Sequence, residues 1–262
     1  MAAAAWDRAR TRVADFARGT AAGAWRLDRG AVAARLAELV DEPDRVRQGR
    51  LNLCGPAVAL VLWLRRDPEA VVEFATGLYE EGRARLGPLT IAPSAALLRL
   101  PYAQGHGTCP PAEWIVMAAL RDTGNRLLRY AHHDGIRESA AAITLPGAVR
   151  TWLAAMGRPV RDETNLLVRK GSRHALELSP GPGQVAVALV AQEMFRRPAA
   201  RRHRARDRVV SLVPNHWVLL RSPVRRTGAV VSFRFWSWGA EHTAAIDEAV
   251  FARCYYGALI VG

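Results

Sequence analysis

Apolar residues recur every three or four positions through much of the first 160 residues. This is the spacing of amphipathic helices, whose buried face returns once per turn. The segments with this spacing predict helices over residues 29–41, 55–66, 67–84, 111–130 and 145–157. Between the third and fourth of these, residues 91–111 are rich in Pro and Gly and predict a surface loop. The first part of the chain therefore reads as a mainly helical lobe.

The pattern changes after residue 160 to short runs of Val, Leu and aromatic residues bounded by turn residues. Such runs predict strands, here over 184–191, 209–213 running into 216–222, 229–238 and 257–262. One late helix is predicted over 243–256. In the polar stretch at 161–167, Thr164 or Asn165 is expected to cap a following helix.

Helices first and mostly antiparallel strands afterwards indicate an α+β fold. We expect one domain over residues 1–262, with a helical lobe at 1–160 and a β lobe at 161–262. The chain has 262 residues, half of them apolar, which is enough for a sizeable core. No apolar run predicts a transmembrane segment, and the N-terminus lacks the apolar stretch of a signal peptide. The expected location is the cytoplasm of the producing cell, or outside it after export without a cleaved signal.

The formal net charge is +13, from 37 basic and 24 acidic side chains, and Lys170 is the only lysine. The densest basic run is Arg196–Arg208. It is either a solvated loop or a docking loop for an anionic surface. No aromatic residues are interleaved in it, which argues against stacking on single-stranded nucleic acid.

Three cysteines, Cys54, Cys109 and Cys254, are too few and odd in number for a disulfide scaffold. Cys109 follows His106 in a predicted loop, but this pair is at most half of a metal site. His132 and His133 do not complete a recognisable ligand spacing. We therefore predict no metal and no cofactor.

Cys54 stands where the apolar helix of residues 55–66 is predicted to start. A helix N-terminus and a nearby imidazolium lower a thiol pKa from about 8.5 to between roughly 3.5 and 7.5. His216, at the opening of a strand after Pro214, is the candidate base. Gln48, six residues before Cys54, could join the Cys54 backbone N–H in an oxyanion hole. Taken singly, each residue also has a structural interpretation, as a buried thiol, a packed histidine or a loop amide.

The order of these residues, the "NLCGPA" around Cys54 and the "WSWG" at 236–239 resemble papain-like cysteine proteases. The "NLCGPA" segment is most similar to bacterial papain-like peptidases and papain-fold toxins. The resemblance implies a helical lobe carrying the Cys helix, packed on an antiparallel β-sheet lobe carrying the His. It also implies a thiol hydrolase in which Cys54 attacks an amide, His216 transfers the proton and Gln48 binds the oxyanion. As a bacterial toxin or effector, the protein would act on a peptide or protein amide and have an immunity or inhibitor protein as partner.

The chain departs from the family at Trp236, where papain-like enzymes carry the Asn that orients the histidine. Ser237 is the candidate replacement, and a Cys–His dyad is the alternative. Either Trp217 or Trp238 is expected to cover the His216 ring. The candidates for lining the cleft are Asn52, Asn215, Trp217 and Trp238.

Two other functions fit the same residues. A glutamine deamidase or acyltransferase would use the same Cys–His pair on the same fold. A non-catalytic binding module with a degenerate triad would instead use the basic run Arg196–Arg208 for docking.

Overall fold

The computed structural model describes residues 2–102, 108–124, 144–178, 180–195 and 214–262. The predicted docking run at 196–208, the strand at 209–213 and the histidines at 106, 132 and 133 lie outside these residues. The chain divides into two compact units, Met1–Gly157 and Arg158–Gly262. This boundary lies close to the predicted change of pattern at residue 160.

The described part of the first unit is mainly helical. Its helices are α1 (Ala2–Arg18), α2 (Arg29–Asp41), α3 (Cys54–Leu64), α4 (Pro68–Glu81), α5 (Ala95–Arg99), α6 (Pro111–Gly124) and α7 (Pro146–Ala155). A 3₁₀ turn spans Pro43–Arg45, and strands β1 (Ala84–Leu86) and β2 (Leu89–Ile91) form a small antiparallel hairpin.

Local signals fix the ends of α4, whose start agrees with the prediction and whose end lies three residues before the predicted limit. Asp67 accepts a hydrogen bond from the Ala70 N–H at 3.0 Å, Pro68 opens the first turn, and Gly82 ends the helix with a φ of +68°. Each residue satisfies or avoids an unpaired backbone group at a helix end.

Three features of the first unit were not predicted, and the first is the β1–β2 hairpin. Helix α1 buries Ala9, Val13 and Phe16 on one face, although frequent charges hide this spacing in the sequence. The prediction of a surface loop at 91–111 is wrong in part, because Ser94 caps the short helix α5 and Leu97 is fully buried.

Helix α3 is buried along its whole length, from Cys54 to Leu64. A helix that is apolar on every side belongs in the centre of a core. It contacts α4, α6 and α7, so the first unit is built around it. No helix within the described ranges is both long and apolar enough to cross a membrane.

The second unit is an antiparallel sheet with two short helices. Its strands are β3 (Val160–Asp162), β4 (Val185–Val190), β5 (His216–Leu220), β6 (Arg225–Thr227), β7 (Val230–Ser237), β8 (Ala240–Asp247) and β9 (Tyr255–Val261). The strand order is β3-β9-β4-β5-β7-β6, and β8 pairs with β7 along its whole length. The helices are α8 (Gly171–Glu177) and α9 (Glu248–Cys254), and a 3₁₀ turn spans Gln192–Phe195. The described chain is therefore a mixed α+β protein, as the hydropathy pattern predicts.

Two local predictions for the second unit are wrong. The helix expected over 243–256 begins only at Glu248, because β8 continues to Asp247 and the Asp247 side chain caps α9. Neither Thr164 nor Asn165 caps a helix. Asn165 Oδ1 accepts from the N–H groups of Leu167 and Val168, both at 2.8 Å, which forms a tight turn before α8, and the Thr164 N–H and hydroxyl donate to Asp162 Oδ1.

Candidate functional site

Cys54 is the first residue of α3 and is 5% exposed. The residue before it, Leu53, provides no side-chain cap, and Pro56 lies within the first turn, where its missing N–H is not needed. The thiol therefore lies at the positive end of the helix dipole, an environment that favours a thiolate.

The other two thiols do not occupy the first position of a helix. Burial strongly raises the pKa of Cys109, whose S–H donates to the Arg47 carbonyl at 3.5 Å. Burial also raises the pKa of Cys254. None of the three cysteines is in a disulfide, and all three are buried. Cys109 is consequently a poor nucleophile.

Gln48 is 7% exposed, and its side-chain Nε2 donates to the Leu51 carbonyl at 2.7 Å. The Leu51 N–H returns a bond to the Gln48 carbonyl at 3.2 Å. The amide is thus held in the turn just before Cys54. An amide nitrogen carries two hydrogens, and this bond uses one of them. Asn52, in the same loop, is exposed.

A buried ion pair anchors the loop that leads to Cys54. Arg35 on α2 donates to both carboxylate oxygens of Glu113 on α6, the shortest contact being 2.6 Å. Glu113 is fully buried and also accepts the Arg47 N–H at 3.1 Å, while Arg35 donates to the Arg45 carbonyl at 2.6 Å. The backbone of residues 45–47 is therefore fixed on both sides, directly before Gln48.

Sequence reasoning missed this pair. The available signal is Glu113 itself, a charged residue in the apolar run "PAEWIVMAAL". Burial raises the pKa of Glu113, and Arg35 opposes this effect. The carboxylates of Glu113 and Glu38 in turn raise the pKa of Arg35 against the desolvation that would lower it.

In the second unit, His216 opens strand β5 and is 3% exposed. Its Nε2 is hydrogen-bonded to the Ser237 hydroxyl at 2.8 Å. The Trp238 indole is stacked on the imidazole, with ring centroids 4.6 Å apart and planes 14° apart. The histidine is thus held at one nitrogen and covered on one face.

The "WSWG" segment forms the tip of the β7–β8 hairpin. Ser237 pairs with Ala240, which leaves Trp238 and Gly239 as a two-residue turn with φ values of +51° and +81°. Two positive φ values are typical of a type I′ turn. Successive strand residues point to opposite faces, so Trp236 faces away from the side that Ser237 shares with the histidine.

His242 also belongs to this cluster and was not found from the sequence. Its Nε2–H donates to the Ser237 carbonyl at 3.0 Å, and its ring lies 5.6 Å from that of Trp238. Phe195 and Phe235 stack at 4.5 Å beside these rings. The alternating burial of β8, in which His242 is the first inward-facing residue, is visible only in the structure.

The two remaining candidate residues have other surroundings. Asn215 Oδ1 accepts the Gln192 N–H at 2.8 Å, which ties the start of β5 to the 3₁₀ turn. Trp217 follows His216 in the strand, points to the opposite face and is 1% exposed. Trp238, and not Trp217, lies against the imidazole.

Burial lowers the pKa of His216 to about 4. The ring is therefore neutral at pH 7 and able to accept a proton. The unfolded chain would bind that proton near pH 6.5. This group therefore stabilises the fold fully above about pH 6.5, and the contribution is lost as pH falls toward 4.

Cys54 and Gln48 lie in the first unit, whereas His216, Ser237 and Trp238 lie in the second. Among the described ranges, no group of three or more His, Cys, Asp or Glu side chains is placed to hold a metal ion. No known family model matches the chain, and no characterised protein or solved structure is significantly similar to it.

Proposed function

We propose that the protein is a thiol-dependent amide hydrolase with a papain-like arrangement. The observation that carries the proposal is the environment of His216, which is buried, hydrogen-bonded at Nε2 and covered by Trp238. A second support is Cys54 at the uncapped N-terminus of a buried helix. A base held at one nitrogen and a thiol on a helix dipole are the two parts that nucleophilic cysteine chemistry needs.

The hydrogen bond at Nε2 leaves Nδ1 of His216 as the nitrogen that meets the thiol. Nδ1 takes the proton from Cys54 as Sγ attacks the amide carbon. The tetrahedral intermediate then collapses, the C–N bond breaks and the amine leaves with that proton. Water, deprotonated by the same nitrogen, hydrolyses the thioester and restores the thiol.

The oxyanion is held by the Cys54 backbone N–H and the second hydrogen of the Gln48 amide. The first hydrogen is bonded to Leu51, which fixes the plane of the amide. Donors fixed before the reaction cost little reorganisation as charge develops on the oxygen.

A peptide or protein amide is the proposed substrate class, with an immunity or inhibitor protein as partner. Both follow from the sequence resemblance to papain-fold toxins, which is an argument from analogy. A glutamine deamidase would use the same groups and is distinguished by its product, since ammonia is released without chain cleavage.

The proposal predicts that iodoacetamide at pH 6 labels Cys54 well before Cys109 and Cys254. The helix dipole and an imidazolium favour the Cys54 thiolate, whereas burial raises the pKa of the other two thiols. Peptide mapping by mass spectrometry over a time course measures the order. Urea-unfolded protein, in which all three should label at similar rates, is the control. Faster labelling of Cys109 in the folded protein would contradict the assignment.

A bifunctional dihaloketone tests the pairing directly, because it joins a thiol to an imidazole only when the two lie close together. The proposal requires Sγ of Cys54 and Nδ1 of His216 to come within about 4 Å. We expect a cross-linked peptide pair containing both residues. A Cys54 adduct that never includes His216 would contradict the proposed pairing of these two residues.

Ser237→Ala is expected to lower kcat/KM by about tenfold or less. A neutral hydrogen bond contributes only about 1 kcal/mol, and Trp238 still covers the ring. Ser232→Ala, five residues before Ser237 on the same strand and therefore on its opposite face, is the matched control and should leave the rate unchanged. A loss beyond a thousandfold would show that Ser237 does more than orient the ring.

A further inference from the structure

Three of the exposed large apolar side chains in the described ranges are adjacent. Leu166, Leu167 and Val168 are 38%, 92% and 60% exposed. The other two described examples, Leu145 and Val230, are isolated from each other in sequence. Scattered exposed apolar residues need no explanation, but a run of three at one loop tip does.

Backbone hydrogen bonds to β9 fix both ends of this loop tip, which we define as residues 166–168. The Asn165 N–H donates to the Tyr256 carbonyl at 2.8 Å, and the Lys170 N–H donates to the Tyr255 carbonyl at 3.1 Å. Within the loop, Asn165 Oδ1 accepts the next two backbone N–H groups at the tip, both at 2.8 Å. The tip is therefore a fixed turn attached to β9.

Close backbone approach keeps the loop against the strand. Gly257 has a φ of +105°, and a Cβ at this position would lie 2.3 Å from the Glu163 carbonyl oxygen. A side chain there would push the loop away, so glycine is required. The loop cannot fold back to bury its apolar tip without breaking this attachment.

The charges beside the tip are basic. Arg169 and Lys170 follow it directly, and both are exposed. In the described ranges no carboxylate forms an ion pair with either residue. The nearest acidic side chain in the loop, Glu163, is already paired with Arg161 at 2.6 Å and faces His174 at 3.2 Å.

We propose that the loop tip, with Arg169 and Lys170, inserts into the interface of an anionic lipid bilayer. The three apolar side chains enter the boundary between headgroups and acyl chains, and the two cations bind lipid phosphates. A protein partner fits less well. An ordinary protein–protein interface contains roughly 20 to 30 residues on each side, whereas only three apolar side chains project here. This proposal does not rest on the proposed hydrolase activity.

Vesicle co-sedimentation tests the proposal with the full chain. We expect binding to vesicles of phosphatidylcholine with about 30% phosphatidylglycerol and weak binding to pure phosphatidylcholine. Leu167→Ser combined with Val168→Ser should lower the partition coefficient about tenfold or more. Leu145→Ser, at a position that is 53% exposed, is the matched apolar control and should bind as the wild type does. Circular dichroism confirms folding of each variant.

A second pair of variants separates local from overall charge. Arg169→Ser with Lys170→Ser should weaken binding to anionic vesicles about tenfold, whereas Arg99→Ser with Arg150→Ser removes equal charge elsewhere and should have little effect. Equal losses from both pairs, or an unchanged partition of the apolar variant, would overturn the proposal in favour of adsorption by the net charge of +13. Absence of binding to anionic vesicles would also overturn it. Cys54→Ala should bind anionic vesicles as the wild type does. The vesicle-binding proposal and the hydrolase proposal can therefore fail independently.

Discussion

Cys54→Ala is expected to remove essentially all amide hydrolysis, and His216→Ala to do the same. In the proposed mechanism the thiol supplies the bond to the substrate and the imidazole moves its proton, so neither group is useful without the other. The double variant should therefore be no slower than either single variant, because residues that act as a unit give non-additive losses. Mass spectrometry of a mixed peptide library, together with an ammonia assay, measures cleavage and deamidation at once.

The matched controls are the other two thiols. Cys109→Ala and Cys254→Ala remove buried groups whose pKa values are raised, and both variants should keep near wild-type rates if they fold. Ammonia without new peptide termini would identify a deamidase. Full activity after Cys54→Ala would exclude the thiol mechanism, and absence of any activity in the wild type would favour the binding module.

The pH dependence of Cys54 alkylation reports the state of the pair without a substrate. Burial alone lowers the pKa of His216 to about 4, so a lasting imidazolium requires a thiolate beside it. With that ion pair, the alkylation rate should stay high down to about pH 4 and fall in His216→Ala. Without it, the rate should follow an ordinary thiol with a pKa of about 8.5.

Glu113→Ala is expected to lower the free energy of unfolding by about 3–5 kcal/mol. The change leaves the buried Arg35 guanidinium facing a cavity, with Glu38 as its remaining ion-pair partner, and removes the acceptor of the Arg47 N–H. Loss of this fully buried partner costs far more than loss of a surface pair. Urea unfolding followed by circular dichroism and tryptophan fluorescence measures the change.

Asp15→Ala is the control for this prediction. Asp15 pairs with Arg18 on the surface of α1, where both side chains are more than half exposed, so its loss should cost about 1 kcal/mol or less. Arg35→Met combined with Glu113→Leu should recover part of the stability, because apolar side chains then replace both charges of the buried pair. Equal effects of Glu113→Ala and Asp15→Ala would contradict the role given to the buried pair.

Features set by neighbouring residues in the chain could be predicted. Helix α4 starts where predicted, with its cap at Asp67 and Pro68 in its first turn. Apolar runs likewise indicated β4, β5 and β7, and the start of α3 was predicted to within two residues. These signals work because the groups they satisfy lie within a few residues of the signal.

Features that depend on distant partners could not be predicted. Nothing near Glu113 in the sequence identifies Arg35, which is 78 residues away and on another helix. Strand β8 has Ala at three of its eight positions, 240, 244 and 245, and so resembles a helix in composition. His242 was missed with it, since its partner, the Ser237 carbonyl, is defined only by the hairpin register.

At the tip of the β7–β8 hairpin, the residue that would make the fold most stable differs from the residue that covers His216. The position concerned is that of Trp238. With a φ of +51°, Trp238 adopts a backbone conformation that costs an L-residue about 1–2 kcal/mol. Asn before Gly is the preferred pair for such a turn. Asn has no indole, however, and would leave the face of His216 open to water. Directed evolution for heat resistance would favour Asn at this position, whereas selection for turnover would retain Trp.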